Sequence, residues 1–422
     1  MRFSTLNEWL DWQLTLNPTE IRLGLDRVGA VWQELHPSPL SSRVITVGGT
    51  NGKGSSVAFL REILTAAGYR VGCYTSPHLY RYNERILIDG VEASDELICQ
   101  AFEQIDQARQ ETPLTYFEFG TLAALWLFSE AQLDVILLEV GLGGRLDAVN
   151  IIDADAALIT TVDLDHTDWL GDNREAIGYE KAGIMRPDRP TVFAGEQLPD
   201  SVVEHAEKVG SRLYVAERDF GFSVGEQGWN WWSETSNRRS LPLPTLRGHF
   251  QLRNASGVLM LLDQMKDSLP VDQQSVRAGL LAAKVAGRFE VLGKEPVVLL
   301  DVAHNPEAAR SLRGNLKDMF CAGDTVAVFS MLADKDITRV VATMMEVIDR
   351  WHIFPLEGER AAAMDRLEQC LVEAGVAAKR INRFTDSATA LTAAQEVAGS
   401  EGRVVAFGSF YLVGMIKSEM GF

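Results

Sequence analysis

The stretch Gly48-Gly49-Thr50-Asn51-Gly52-Lys53-Gly54-Ser55 carries the residue types that hold a polyphosphate. Glycines at 48, 49, 52 and 54 let the backbone approach an anion closely, so that successive N–H groups can face it. Lys53 adds a point charge for the β- and γ-phosphates, and Ser55 or Ser56 a hydroxyl for phosphate or Mg²⁺. A β-branched run, Arg43–Val47, leads into the loop, and a helical pattern, Lys53–Ala67, leads out of it. Strand, glycine turn, lysine and helix together make an anion site at a helix N-terminus. The strict pattern G-x-x-x-x-G-K-[ST] is not met, because Val47 stands at its first glycine and Gly54 at its Ser/Thr.

Other groups able to do chemistry fall at the ends of further strands. Glu139 closes the apolar run Asp134–Val140, the pattern of a strand covered on both faces. A carboxylate there can hold Mg²⁺ against the phosphates, or cap the glycine loop after it. Ser76 lies just past the strand Val71–Tyr74, and His166 just past Ala157–Val162. In an open α/β sheet these carboxyl ends share one edge, where ligands bind. Lys181 lies in the helical stretch Glu175–Met185, where a lysine is ordinarily solvated or salt-bridged. Arg288 and Asp301 flank Gly287–Lys294, which reads as a hinge. An arginine there suits closure over phosphates through its bidentate fork, or an interdomain salt bridge.

The elements that must position these groups alternate strand and helix, which predicts a parallel sheet. Helical periodicity runs from Leu6 to Leu35 with a break near Asn17–Pro18, and returns at Leu97–Gln110, Phe117–Ala131, Leu252–Met265 and Gln273–Lys284. Thr191–Phe193 is a further strand. Residues 211–245 are polar, tryptophan-rich and turn-rich, and predict a small antiparallel excursion with its tryptophans in packing roles. A second α/β pattern starts at Val297–Leu300, continues at Thr325–Phe329 and closes at Arg403–Phe407. The expected architecture is α/β: a P-loop-containing parallel-sheet domain over residues 1–290, then a smaller Rossmann-like α/β C-terminal domain over residues 291–422.

Composition narrows the partners. With 46% hydrophobic and 23% charged residues the chain can bury a sizeable core. A formal net charge of −18 argues against nucleic acid, whose backbone demands an excess of Lys and Arg. It leaves anionic small molecules open, provided cationic groups are placed locally. The four cysteines, Cys73, Cys99, Cys321 and Cys370, are widely spaced and read as reduced core thiols. No stretch approaches a membrane span, and the acidic N-terminal segment is not a signal peptide, so a cytoplasmic protein is expected.

The loop GGTNGKGSS resembles that of the ATP-dependent amide-bond ligases that include the Mur ligases and folylpolyglutamate synthase. Gly54 after the lysine is similar to the folate branch. The resemblance continues in order through Ser76-Pro77-His78-Leu79, Leu114-Thr115-Tyr116-Phe117-Glu118, Glu139-Val140-Gly141-Leu142-Gly143-Gly144-Arg145-Leu146-Asp147-Ala148, Asp165-His166-Thr167 and Glu180-Lys181-Ala182-Gly183. Gly287-Arg288-Phe289 and Asp301-Val302-Ala303-His304-Asn305-Pro306 complete it. Val149 departs from the family's threonine, and Arg22 replaces an acidic residue.

The resemblance implies a role for each group. ATP, as co-substrate, meets Thr50, Asn51, Gly52, Lys53, Gly54, Ser55, Asn254, Arg288 and Asp301. One or two Mg²⁺ ions meet Ser76, Glu139, His166 and Lys181, with Lys181 carbamylated into a carboxylate-like ligand. Lys53, His166 and Lys181 carry catalysis. The pteroate moiety meets Leu23, Gly24, Leu25, Thr115, Tyr116, Phe117, Glu118, Leu146, Asp147 and Ala148, and glutamate meets His304. The implied reaction joins L-glutamate to dihydropteroate and to tetrahydrofolates through an acyl phosphate, in a monomer whose hinge closes to exclude water. Two other readings stay open from the residues: a ligase acting on reduced folates alone, and a P-loop ATPase that serves as a regulatory module. Only 47 residues precede Gly48, fewer than the UDP-sugar domain of the peptidoglycan branch requires.

Overall fold

The β-branched run becomes β1, Arg43–Gly48, buried along all but its first residue. In this structure, a computed structural model, all residues are described except Met1, 18–21, 36–39, Gln227, Lys294, Glu359 and Phe422. Strands β2 (Val71–Tyr74), β3 (Ile86–Ile88), β4 (Val91–Glu92), β5 (Val135–Glu139), β6 (Ala156–Ile159), β7 (Pro190–Phe193) and β8 (Arg212–Val215) join β1 in one eight-stranded sheet. Their order is β4-β3-β2-β5-β1-β6-β7-β8. Pairing is parallel from β2 through β8, and antiparallel only at β3 and β4. From β1 the chain runs to β2, β3 and β4 on one side, returns as β5 beside β1, and crosses to β6, β7 and β8 on the other, so the crevice beyond the carboxyl ends of β1 and β6 is a topological switch point.

Register decides what meets at that edge. Val47 pairs with Glu139, and Gly48 pairs with Ile159. Tyr74 pairs with Leu138. The loops leaving β1, β2, β5 and β6 therefore start at one level, and they carry Gly49, Ser76, Val140 and Thr160.

Helices cover both faces of this parallel sheet, which is why its strands read as unbroken apolar runs. Helix Tyr116–Glu130 is buried almost all round, as an apolar helix between a sheet and other helices must be. Its Phe119 joins Trp9 and Phe102 in an aromatic cluster with ring centroids 5.3–6.5 Å apart. Helix Lys53–Ala66 crosses helix Gln273–Ala282 at Gly279, where a Cβ would lie 2.5 Å from the Ile63 backbone nitrogen.

One expectation is corrected, and one element is added. Residues 211–245 are not antiparallel throughout: β8 extends the parallel sheet, because Arg212–Val215 pairs with β7 after a full helical crossover, Asp200–Val209. The antiparallel excursion begins later, as β9 (Phe220–Gly225), β10 (Gly228–Ser233) and β11 (Asn237–Leu241). Trp229 and Trp231 are buried in it and donate to Pro242 O and Ser256 O, whereas Trp232 stays 40% exposed. The β3–β4 ribbon carries no long apolar run and has no counterpart among the expected strands.

The second sheet holds β12 (Glu290–Val291), β13 (Val297–Asp301), β14 (Thr325–Phe329), β15 (Arg350–Ile353), β16 (Ile381–Arg383) and β17 (Arg403–Phe407). Its order is β12-β13-β17-β14-β15-β16, parallel except at β12. The strand last in sequence thus lies inside the sheet, between β13 and β14. Its Arg403 is buried and donates to Leu316 O and Met319 O, satisfying carbonyls at the end of helix Pro306–Asp318. Phe329, Trp351 and Phe407 pack edge-on or tilted at 5.1–5.9 Å in its core.

The chain forms two compact units, Met1–Thr245 with Gln251–Lys284, and Leu246–Phe250 with Val285–Phe422. Of the stretch read as a hinge, 287–293 belongs to the second unit and Lys294 lies outside the described residues. Pro18, at the expected helix break, also lies outside them, between helices Leu6–Leu16 and Asp26–Leu35. Among the described residues, no helix is long and apolar enough to cross a membrane. The tight crossing at Gly279 gives a stability test: Gly279→Ala forces helix Gln273–Ala282 away from Ile63 and costs about 1–3 kcal/mol, read as a lowered urea midpoint.

Candidate active site

The glycine loop is shaped by contacts at both ends. Gly49 has φ +139°, and a Cβ on it would lie 1.9 Å from Thr160 Oγ1, so no side chain fits. Thr50 N donates to Thr161 O at 2.8 Å, Asn51 N to Thr161 Oγ1 at 3.1 Å, and Thr160 Oγ1 to Asn51 O at 2.6 Å. Asp163 N donates to Thr50 Oγ1 and Thr50 Oγ1 to Asp163 O. The residues after β6 thereby hold the loop open as a cradle. Gly52, at φ +89°, turns the chain into helix Lys53–Ala66 with no side-chain cap on the helix N-terminus. Lys53 Nζ folds back over the loop onto Gly49 O and Thr50 O, at 2.9 and 3.2 Å. Uncapped N–H groups, the helix dipole and an ammonium converge on one anion site.

Three buried polar groups flank the cradle. Glu139 is 5% exposed, and its carboxylate oxygens lie 3.7 Å from where a Cβ on Gly54 would stand. It accepts from Ser76 N at 3.3 Å, so Ser76 and Glu139 meet as expected from the strand ends. Asn254 Oδ1 lies 2.5 Å from the Cβ position of Gly52. Gln251, which no sequence pattern singles out, donates to Ser55 Oγ and accepts from Asn254 Nδ2, each at 3.1 Å.

His166 sits in the left-handed region, φ 52°, at the start of the short helix Thr167–Leu170. A non-glycine residue there is uncommon and is held by its surroundings. Lys181 is not a solvated helix lysine: it is 4% exposed, near the end of helix Arg174–Ala182. That helix end is stapled to the loop after β5. Arg145 pairs with Glu180 at 2.7 Å, Arg145 N donates to Glu180 O, and Asn150 Nδ2 donates to both Arg145 O and Gly183 O at 3.0 Å. Asn150 ends the motif that begins at Glu139, and its side chain is what joins that loop to the helix end.

The same loop buries Asp147. Its oxygens accept from Leu142 N at 2.8 Å and Val149 N at 3.0 Å. Burial pushes its carboxyl up to about 6, against the opposing pull of backbone N–H groups and Lys53. Gly141 separates Asp147 from Phe117; a Cβ there would lie 3.3 Å from the carboxylate and 2.7 Å from the ring.

The three stretches expected around the acceptor come together. Gly24 N donates to Leu146 O at 3.4 Å, and Arg27 pairs with Glu118 at 2.9 Å. Thr115 and Glu118 are also a capping box for helix Tyr116–Glu130, a role their T-x-x-E spacing signals. Arg85, unmarked in the sequence, lies 5.6 Å over the Tyr116 ring and donates to His78 Nδ1 at 2.7 Å. Burial and that guanidinium push His78 down to about 4, so it is a neutral acceptor near pH 7.

In the second unit, Asp301 closes β13 and accepts from Phe289 N and Ala303 N, both at 2.9 Å. Burial raises its carboxyl, while Arg288 and those amides oppose the shift. Arg288 lies 5.8 Å over the Phe410 ring, and the His304 ring lies 5.7 Å from the same ring on a tilt. Phe410, which no motif marks, thus meets two of the three groups assigned to this unit, Arg288 and His304.

Residues 287–410 match the family described as Mur ligase, glutamate ligase domain. The chain is similar to the dihydrofolate synthase/folylpolyglutamate synthase of Escherichia coli strain K12, 42% identical over 97% of this chain and 94% of that one. Its structure is similar to Escherichia coli FolC in complex with DHPP and ADP, with a TM-score of 0.93 at 41% identity, covering 99% and 98% of the two chains. It is also similar to a bifunctional folylpolyglutamate synthase/dihydrofolate synthase with Mn, AMPPNP and L-glutamate bound, with a TM-score of 0.91 at 42% identity over 99% and 98% of the chains.

Burial of Asp147 has a consequence for stability. Its folded-state value exceeds the unfolded one, so the folded chain binds the extra proton, and stability from this group falls as pH rises from about 4 to about 6. The loss is on the order of 3 kcal/mol in the ligand-free protein. Urea unfolding across that range should show it in the wild type and lack it in Asp147→Asn.

Proposed function

This chain belongs to the dihydrofolate synthase/folylpolyglutamate synthase family and is an ATP-dependent ligase using a divalent metal, and from that premise we propose how its residues share the work. The loop Thr50–Ser55 takes the phosphates of ATP, with Asn254, Arg288 and Asp301 as further nucleotide contacts. The observation that carries this assignment is the cradle itself: Gly49 and Gly52 in conformations that leave room only for backbone, clamped by Thr160 and Thr161.

A carboxylate does not react with an amine, because its leaving group would be oxide. Transfer of the γ-phosphoryl group to the acceptor carboxylate forms an acyl phosphate and ADP. The amine of L-glutamate attacks the acyl carbon, and phosphate departs as the amide forms. Lys53 and the loop N–H groups neutralise the charge that spreads over the moving phosphoryl. Dihydropteroate and reduced folates are the acceptors, with the ring end against Phe117 and Asp147 and near Leu23, Gly24, Leu25, Thr115, Tyr116, Glu118, Leu146 and Ala148. His304 serves the incoming glutamate. The enzyme acts as a monomer.

Mg²⁺, as one or two ions, suits the donors present. Glu139 is a buried carboxylate beside the loop and meets the Ser76 backbone. Such sites need carboxylate, hydroxyl and phosphate oxygens. Ser76, Glu139, His166 and a carbamylated Lys181 would hold it, and when bound it would neutralise phosphate charge. Lys181 is buried rather than solvated, and carbamylation would turn its cationic end into a carboxylate-like metal ligand.

ADP release, measured with L-glutamate and dihydropteroate and then with tetrahydrofolate, should depend on both acceptors. Release that neither acceptor stimulates, with basal hydrolysis intact, would favour the regulatory ATPase. Lys53→Ala should lower turnover by at least about 100-fold with an unchanged circular dichroism spectrum. The Lys181 peptide, kept from acid, should carry the carbamate mass increment; an unmodified lysine in active enzyme refutes that assignment.

A further inference from the structure

Three buried amide and hydroxyl groups form a chain beside the nucleotide loop. Gln251, Ser55 and Asn254 are 1%, 2% and 4% exposed. Gln251 and Asn254 lie three residues apart on helix His249–Gln264, so both side chains point from one face. Asn254 Nδ2 donates to Gln251 Oε1, and Gln251 Nε2 donates to Ser55 Oγ, each at 3.1 Å.

The direction of this chain constrains its ends. An amide has one accepting and one donating end, whereas a hydroxyl has a single proton. Because Gln251 accepts from Asn254, it offers its N–H to Ser55. Ser55 therefore keeps its own proton for another partner. Asn254 in turn keeps Oδ1 at Gly52, where a Cβ would stand 2.5 Å away. Reversing any one group sets donor against donor or acceptor against acceptor, so the three must turn together. All three groups are buried, so a mismatch in the middle of the chain leaves a polar group unsatisfied.

We propose that Gln251 is a positioning residue for the nucleotide, fixing the hydrogen-bond polarity of Ser55 at the phosphate end and of Asn254 at the Gly52 flank as one unit. The ligand class is a nucleoside polyphosphate, whose phosphate oxygens accept the proton that Ser55 retains. The inference rests on the assignment of Ser55 and Asn254 to the nucleotide, and Gln251 acts through both.

The test is ADP affinity by titration calorimetry on the full chain, with steady-state kinetics alongside. Gln251→Met keeps length and removes both hydrogen bonds. It should weaken ADP and raise KM for ATP about tenfold, with KM for L-glutamate changed by less than about twofold. The Gln251→Met/Ser55→Ala pair should cost less than the product of the single losses; multiplicative losses overturn the coupling. Gln251→Glu keeps the acceptor for Asn254 but draws the Ser55 proton to itself, and should weaken ADP by at least as much. It answers the same question should the methionine variant melt early. If Ser55→Ala and Asn254→Ala weaken ADP while both Gln251 variants bind normally, the positioning role is wrong and the loop assignment stands. If Ser55→Ala and Asn254→Ala bind ADP normally, the loop assignment itself is wrong.

Discussion

Gly49 and the Thr160 hydroxyl claim the same space, and the active site is organised around that exclusion. Because position 49 has no side chain, Thr160 can reach over to Gly48 O and Asn51 O and tie the first loop to the end of β6. The sheet order supplies the neighbour: β1 lies between β5 and β6, so a loop leaving β1 is flanked by the loops leaving those two strands. On one side come Thr160, Thr161 and Asp163, which clamp; on the other come Glu139 and the loop to Asp147, which carry carboxylates. A substitution at Gly49 would disturb hydrogen bonds on the clamping side before it touched any nucleotide.

Charge is managed locally. The chain carries a net −18 and its nucleotide is an anion, so the global field opposes binding. The loop can answer with backbone N–H groups and a helix N-terminus fixed in place, and with the ammonium of Lys53 held over them. The carboxylates beside it are treated individually. Glu139 is buried and accepts from the Ser76 backbone. Asp147 is buried more completely, and the same kind of backbone donation does not prevent its carboxyl from rising to about 6.

Much of this was legible in the residues. Long apolar runs such as Val135–Glu139 and Thr325–Phe329 announce buried parallel strands, and the glycine loop between a strand and a helix announces its anion site. Thr115 and Glu118 announce a helix start. The elements that escaped are short or non-local. The β3–β4 ribbon is held by pairing to β2, with too few residues for a periodic signal. β8 looks like loop because only its place beside β7 makes it a strand.

The sequence by itself pointed to the classes of chemistry: a glycine loop with a lysine between a strand and a helix suits a polyphosphate, and a glutamate at a strand end suits a metal or a loop cap. It did not determine which polar groups act on which. Gln251 reaches Ser55 across 196 positions, and Asn150 ties Arg145 to Gly183. Phe410 meets Arg288 and His304 from the far end of the second unit. Hydrogen bonds and ring contacts depend on ångström distances between residues remote in the chain, and only folding fixes those. The glycine loop predicted a place for phosphate; only the tertiary structure ties Thr160 and Thr161 to that loop and bonds Gln251 to Ser55.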